Sequence, residues 1–261
     1  MPILTLHDQP IHYTDSPKDL TGHKPPLLLI HGAGGSHLSW PPHLRRLPDL
    51  RVIAVDLPGH GRSGGPGCTS IAAYRDKLRD FVDALGLSRF ILAGHSMGGA
   101  IALDYARLFP ERVAGLGLIG TSARLRVAPA ILDGIRTDFA ATTAQMMGWM
   151  VGSAFPASAR RLALQRLRES NPDVLHGDFA ACDVFDLRTE VQGLPLPALI
   201  IVGEEDQMTP PKFSESLHAS LPNSELHRLP NAGHMVQLEQ PDVVTDLLAR
   251  FVEQKTNRPR I

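Results

Sequence analysis

Ser96 lies in Ala93-Gly94-His95-Ser96-Met97-Gly98-Gly99, directly after the apolar run Arg89-Phe90-Ile91-Leu92 and directly before the helical stretch Ala100–Phe109. A serine flanked by glycines two residues away on each side, between a strand and a helix, has the pattern of a nucleophile elbow. The turn forces a strained backbone on the serine, and the glycines leave room for strand and helix to approach. The hydroxyl is then exposed at the carboxyl edge of the sheet. A serine hydroxyl is a weak nucleophile at neutral pH, so it needs a base, and the base needs an orienting carboxylate.

The chain has 12 histidines, so position rather than residue type must select the base. Asn231-Ala232-Gly233-His234 follows the last strand-like run in a loop, at the edge that also carries the serine. His31, His60 and His95 end near that edge too. His95 adjoins Ser96, and the sharp turn is expected to point its ring away from the hydroxyl, while His31 is expected to prop the loop after its strand. His234 is therefore assigned as the base. The acid should also leave a strand end, and Gly203-Glu204-Glu205-Asp206 follows Leu199–Val202. Asp206 is assigned, because Gly-x-x-Asp carries the acid past the strand end towards the histidine loop. Glu204 and Glu205 are expected to be solvated or paired with surface arginines. The alternative position after Val113–Ile119 reads Gly120-Thr121-Ser122 and holds no carboxylate. The chain order Ser96, Asp206, His234 is that of a nucleophile-elbow hydrolase.

Negative charge developing on a substrate oxygen needs preorganised donors. Met97 offers one backbone N–H at the start of the helix, whose dipole also favours an anion. The second donor is expected from His31-Gly32-Ala33-Gly34-Gly35-Ser36, whose small residues let backbone approach substrate. Ala33 is assigned as this donor, with Gly34 the alternative and a substrate contact. Gly59-His60-Gly61-Arg62-Ser63-Gly64 fits G-x-G-x-x-G, the dinucleotide pattern. Gly65-Pro66-Gly67 follows, which cannot start a helix, and Asp80 and Asp83, at about the spacing of the ribose-binding acid, lie inside a helix. A structural turn is expected there.

These residues need a scaffold. Ile3–Leu6 and Ile11–Tyr13 read as a hairpin around Asp8-Gln9-Pro10. Leu27–Ile30, Val52–Val55, Phe90–Leu92, Val113–Ile119 and Leu199–Val202 read as strands buried on both faces, and Ser224–Leu229 as the last strand. Ile71–Leu85 carries an apolar stripe of Leu78, Phe81, Val82 and Leu85 and ends at Gly86. Ala100–Phe109 is apolar nearly all round and stops at Pro110, and Pro241–Val252 is the closing helix. Alternating strands and helices of this kind predict a mostly parallel sheet with helices on both faces. Between Ser122 and Glu190 no buried-strand run occurs, and helical pieces begin near Pro129, Thr142, Ser158 and Pro172. A helical insertion over the carboxyl edge of the sheet is expected. Its cluster Met146-Met147-Gly148-Trp149-Met150 has two readings: Met146, Trp149 and Met150 line the substrate pocket, or they form the insertion's own small core.

Composition narrows the function classes. The 261 residues are 43% apolar and 20% charged, with 26 basic and 27 acidic side chains and a net charge of −1. This balance gives no electrostatic footprint for nucleic acid or an anionic membrane. The one charge-biased segment, Lys255–Ile261, is expected to be a frayed terminus. Cys68 and Cys182 are far apart and outside metal-ligand spacing, so free thiols in a reducing compartment are expected. Met1–Pro10 lacks the features of a signal peptide, and no run of about 18 apolar residues occurs. The expectation is a soluble, cytoplasmic protein of undetermined oligomeric state.

The chain resembles the α/β-hydrolase superfamily with a helical cap, and is most similar to bacterial carboxylesterases and enol-lactonases of that type. The resemblance is carried by His31-Gly32 after a strand, Asp56-Leu57-Pro58-Gly59-His60-Gly61-Arg62-Ser63, Gly94-His95-Ser96-Met97-Gly98, Gly203-Glu204-Glu205-Asp206 and Gly233-His234. It implies a mostly parallel eight-stranded sheet, a core domain of 1–121 and 190–261, and a cap of 122–189. It also implies Ala33 and Met97 as the oxyanion pair, no cofactor and no metal. Ser96 departs from the aspartate nucleophile of haloalkane dehalogenases and epoxide hydrolases. Gly34-Gly35-Ser36 departs from the proline-bearing oxyanion loop of carbon–carbon bond hydrolases. A carboxylesterase acting on a small ester through an acyl-enzyme is the main expectation. A lactonase, a carbon–carbon hydrolase or perhydrolase on the same triad, or a ligand-binding protein with vestigial turnover, are the alternatives.

Overall fold

The apolar runs form strands, and their order places the chemistry. The computed structural model describes residues 2–16 and 24–256; residues 257–261 of the tail expected to fray lie outside that range. β1 (Ile3–Leu6) and β2 (Gln9–Asp15) pair antiparallel with Leu6 opposite Gln9, so the turn consists of His7 and Asp8. Both have positive φ, 48° and 62°, as a two-residue hairpin turn requires. This corrects the turn expected around Asp8-Gln9-Pro10. Proline has φ fixed near −65° and cannot occupy such a corner, so Pro10 falls inside β2.

β3 (Leu27–Ile30), β4 (Val52–Val55), β5 (Phe90–His95), β6 (Val113–Ile119) and β7 (Ala198–Gly203) are buried at every position. β8 (Ser224–Leu229) is a more exposed edge. The eight strands lie in the order β1-β2-β4-β3-β5-β6-β7-β8. β2 runs antiparallel to β1 and β4, and the pairs from β4 to β8 are parallel.

Helices cover both faces. Leu28 and Ile30 of β3 join a core with α1 (Ile71–Ala84) and α2 (Met97–Leu108), through Tyr74, Leu78, Phe81, Ile101 and Tyr105. Leu27 and Leu29, on the opposite face, pack with Trp40, Leu44 and the apolar stripe Val244, Leu248 and Phe251. The period of two along β3 thus divides one strand between two cores. α1 starts where the Ser70 hydroxyl accepts the Ala73 N–H, and Gly86, at φ 67°, ends it.

Between β6 and β7 the chain forms α3 (Pro129–Thr137), α4 (Phe139–Met150), α5 (Ala157–Arg168) and α6 (Pro172–Asp183). α4 begins at Phe139 rather than near Thr142, because the Asp138 carboxylate caps the Ala141 N–H. The entry and exit of this insertion meet: Leu187 N–H donates to the Ala123 carbonyl at 2.7 Å, and Arg124 bridges Asp186. Its interior holds Ile131, Ile135, Met146, Met147, Leu175 and Phe179. After β7 come α7 (Pro211–Ser220), α8 (Val236–Glu239) and α9 (Pro241–Thr256), which carries the Val244 stripe. α7 buries only Ser214 and Leu217, too thin an apolar stripe to be read from the sequence. Among the described residues no helix is long and apolar enough to cross a membrane.

Candidate active site

Ser96 joins β5 to α2 with φ 53° and ψ −116°, a strained conformation for a residue with a side chain. Its surroundings hold it there. Ser96 N–H donates to the Ile119 carbonyl at 2.9 Å, and its carbonyl accepts from Gly99 N–H, Ala100 N–H and the Thr121 hydroxyl. A Cβ at Gly94 would collide with the backbone of Gly98, and one at Gly98 with the carbonyl of Ile30. Both glycines are needed for the close approach of strand and helix.

Asp206 and His234 are brought together. Asp206 sits in the loop after β7, His234 in the loop after β8, and His234 Nδ1 lies 2.9 Å from Asp206 Oδ2. Asp206 is buried and also accepts from Met208 N–H, Thr209 N–H and the Thr209 hydroxyl, each at 2.8 Å. Burial alone would raise its pKa, but His234 and these donors outweigh burial and hold it below the usual aspartate value. The carboxylate therefore stays ionised and fixes the proton of His234 on Nδ1, leaving Nε2 as the available base. Gly120, at the end of β6, abuts this pair: a Cβ there would lie 3.3 Å from His234 Nδ1.

Ser96 and His234 line one cavity of about 640 Å³, with no hydrogen bond between their side chains; such contacts are often long before substrate binds. Ala33 and Gly34 line it from the loop after β3, and Met146, Met147 and Met150 from α4. The N–H groups of Ala33 and Met97 have no acceptor among the described residues, whereas Gly34 N–H is taken by Asp178. Gly34 therefore cannot serve as the alternative donor in this conformation. Trp149 does not line the cavity; it is half-buried against the insertion's own apolar cluster, which corrects its assignment as a pocket residue. On the helix, Trp149 is turned about 160° from Met147 and about 100° from Met150, which places it at the margin of the pocket-lining side.

The neighbouring histidines are occupied otherwise. His31 donates from Nδ1 to the Gly32 carbonyl and accepts Leu57 N–H at Nε2, propping two loops. His95 Nε2 donates to the His234 carbonyl at 2.9 Å, and the two rings are 4.7 Å apart. Burial, followed by the nearby His234, lowers the pKa of His95 to about 3, so it is neutral. His12, His37 and Asp56 form one buried group of metal-ligand type, with ligand atoms within 4.8 Å of one another. Both Nδ1 atoms there hydrogen bond to Asp56, at 2.8 and 2.9 Å.

Several residues of the site went unread in the sequence. Glu205 is half-exposed and meets Ser153 rather than an arginine: it accepts Ser153 N–H and hydroxyl just after α4, because the loop brings it beside the insertion. Glu204 does meet Arg228, at 3.4 Å. Glu239 accepts both Gly233 N–H and Gly152 N–H, tying the histidine loop to the insertion. Burial raises its pKa despite these amides. The stretch Gly59–Gly64 forms a turn closed by Gly59 N–H to the Gly64 carbonyl, and the next helix starts at Ile71.

Comparison with known proteins agrees with this architecture. The pimeloyl-[acyl-carrier protein] methyl ester esterase of Serratia marcescens is 30% identical over 87% of this chain and 93% of its own length. A thermophilic esterase of known structure superposes with a TM-score of 0.84 at 29% identity, over 97% of both chains. The enol-lactonase of Burkholderia xenovorans LB400 shares the fold, with a TM-score of 0.87 at 24% identity over 97% of this chain and all of its own. The family model described as the alpha/beta hydrolase fold matches residues 25–241. That span runs from just before β3 to the first residue of α9, enclosing Ser96, Asp206 and His234, and the chain belongs to the α/β-hydrolase fold family.

Proposed function

We propose that this protein is a serine carboxylesterase cleaving small carboxylic esters through an acyl-enzyme on Ser96. The observation that carries the reading is the Asp206–His234 pair at 2.9 Å opening onto the same cavity as a strained serine at a helix N-terminus. His234 Nε2 takes the Ser96 proton as Oγ attacks the ester carbonyl, and Asp206 stabilises the resulting imidazolium. The carbonyl oxygen becomes an oxyanion between the N–H groups of Ala33 and Met97. His234 returns its proton to the leaving alcohol, then activates a water that hydrolyses the acyl-enzyme. The helices between β6 and β7 act as a cap, whose methionines supply an adaptable apolar wall for the acyl chain.

The likeness to two esterases at 29 and 30% identity supports the ester as substrate class. Cys68 and Cys182 are both free, which supports a reducing, cytoplasmic setting. The test is Ser96→Ala together with a panel of p-nitrophenyl esters and lactones. Ester turnover is expected in the wild type, with stoichiometric labelling of Ser96 by a fluorophosphonate. Loss of Ser96 should cost on the order of 10⁴–10⁶ in kcat. Turnover retained by pure Ser96→Ala would overturn the mechanism, and a panel answered only by lactones would overturn the substrate class.

A further inference from the structure

Asp178, on α6, is fully buried and its carboxylate accepts three hydrogen bonds. The Tyr74 hydroxyl donates to Oδ1 at 2.6 Å, and His60 Nε2 and Gly34 N–H donate to Oδ2 at 2.7 and 2.9 Å. The other nitrogen of His60, Nδ1, lies 3.0 Å from the Pro58 carbonyl oxygen. Both ring nitrogens thus face acceptors, so both carry protons and His60 is an imidazolium paired with Asp178. Burial pulls the pKa of His60 down, but the charge and hydrogen bond of Asp178 reverse this and leave it above the usual histidine value. The His31 ring, 4.8 Å away, is neutral: burial and His60 bring its pKa to about 4.

Gly34 is where this buried pair meets the site. Gly35 N–H donates to the Gly32 carbonyl at 3.0 Å, closing a four-residue turn with Ala33 and Gly34 at its centre. Gly34 has φ 62°, and positive φ at the third residue marks a turn whose central peptide is flipped relative to the common type I. That central peptide joins Ala33 to Gly34, and its N–H is the one Asp178 holds. α6 also fills the space beside it, since a Cβ at Gly34 would lie 2.7 Å from Leu175 Cδ1.

We propose that Asp178 is a positioning residue for the hydrolysis: by holding Gly34 N–H it locks the flipped Ala33–Gly34 peptide, and so fixes how Ala33 presents its own N–H to the substrate oxygen. The inference rests on Ala33 being an oxyanion donor, as proposed above. His60 and Tyr74 hold the carboxylate in place from the sheet side. A side chain of the helical insertion therefore completes a site otherwise built by the sheet, and the oxyanion loop takes its working shape only when α6 is seated.

The test compares Asp178→Asn with wild type on p-nitrophenyl butyrate, with active sites counted by fluorophosphonate labelling. A misplaced oxyanion donor weakens the transition state and leaves ground-state binding largely intact. The expected result is a fall in kcat of about 10–100-fold, a KM within about twofold of wild type, and slower labelling of Ser96 that still reaches completion. A lowered melting temperature with wild-type kcat per active site would mean a structural role only and would overturn the proposal. If Asp178→Asn does not fold, Tyr74→Phe removes only the hydroxyl on Oδ1. It is expected to lower kcat about 2–5-fold at unchanged KM, and wild-type kcat there would equally overturn the proposal. Failure of the underlying mechanism is distinct, because wild-type protein would then not be labelled at Ser96.

Discussion

Two buried histidine–aspartate pairs sit on either side of the cavity, and on distance alone they are interchangeable. His234 and Asp206 are 2.9 Å apart, His60 and Asp178 2.7 Å, and all four side chains are nearly inaccessible. Their second nitrogens differ. His234 Nδ1 meets Asp206, and its Nε2 has no hydrogen-bond partner among the described residues. His60 has Asp178 on one nitrogen and the Pro58 carbonyl on the other. A histidine whose two nitrogens both donate to acceptors is a fixed cation and cannot take a proton from anything. One with a single committed nitrogen is an oriented base. What separates a base from a brace is the uncommitted nitrogen, not the carboxylate.

The comparison breaks most sharply in the histidines themselves. His234→Gln is expected to lower kcat on the order of 10⁴–10⁶, against about tenfold for His60→Gln, measured on one ester under saturation. Comparable losses in the two variants would erase the distinction. Among the carboxylates, Asp206→Asn should cost about 10⁴ in kcat while Glu205→Gln, which touches only Ser153, keeps its chemistry. The opposite ranking would move the acid to Glu205.

Thermal stability against pH separates the pairs without any substrate. Asp206 and Asp56 have folded pKa values below their unfolded ones, so their contribution is complete above about pH 4 and is lost as pH falls through the folded values. For Asp56, burial opposes the shift and His37 is the largest cause of it. His60 has a raised folded pKa, so its contribution is complete below about pH 6 and is lost as pH rises from there through the folded pKa, which lies above the usual histidine value. The melting temperature should therefore decline at both ends, and His60→Gln should remove the part of the alkaline decline nearest neutrality. The part at higher pH should remain, because it comes from the half-buried Cys68 thiol and the buried Tyr105 hydroxyl, whose pKa values burial raises. A decline just above neutrality that is unchanged in His60→Gln would show that His60 is not that fixed cation. The smallest effect is expected in the insertion. Trp149→Ala should destabilise by about 1–3 kcal/mol and leave relative kcat/KM across an ester series unchanged, whereas Met150→Ala should shift that series towards longer acyl chains. A changed ester profile in Trp149→Ala would return that residue to the pocket wall.

How far these features could be read from the chain depends on the range of the interaction. The strained turn at Ser96 is legible because its causes, Gly94 and Gly98, lie within two residues. The loops of Asp206 and His234 are legible because each follows a strand, β7 apolar throughout and β8 the more exposed edge. Asp178 is silent: it is one polar residue in α6, 118 positions from His60 and 144 from Gly34, and no local pattern marks it. Trp149 misleads for the opposite reason. Its methionine neighbours suggest a pocket, but a helix turns about 100° per residue and sends adjacent side chains to different surroundings. At His7 and Asp8 the error is one of turn chemistry, since proline draws attention to a corner it is unable to occupy.

The bond between His95 and the His234 carbonyl spans 139 positions in sequence, and that between Gly34 and Asp178 spans 144. Contacts of such separation carry a large loop-closure cost and are expected to form late when the chain folds. Strands and helices should thus be in place before the site exists. In a refolding experiment, ellipticity should return first and hydrolytic activity only afterwards, so that a chain with nearly all of its secondary structure passes through a period in which it has no catalyst at all.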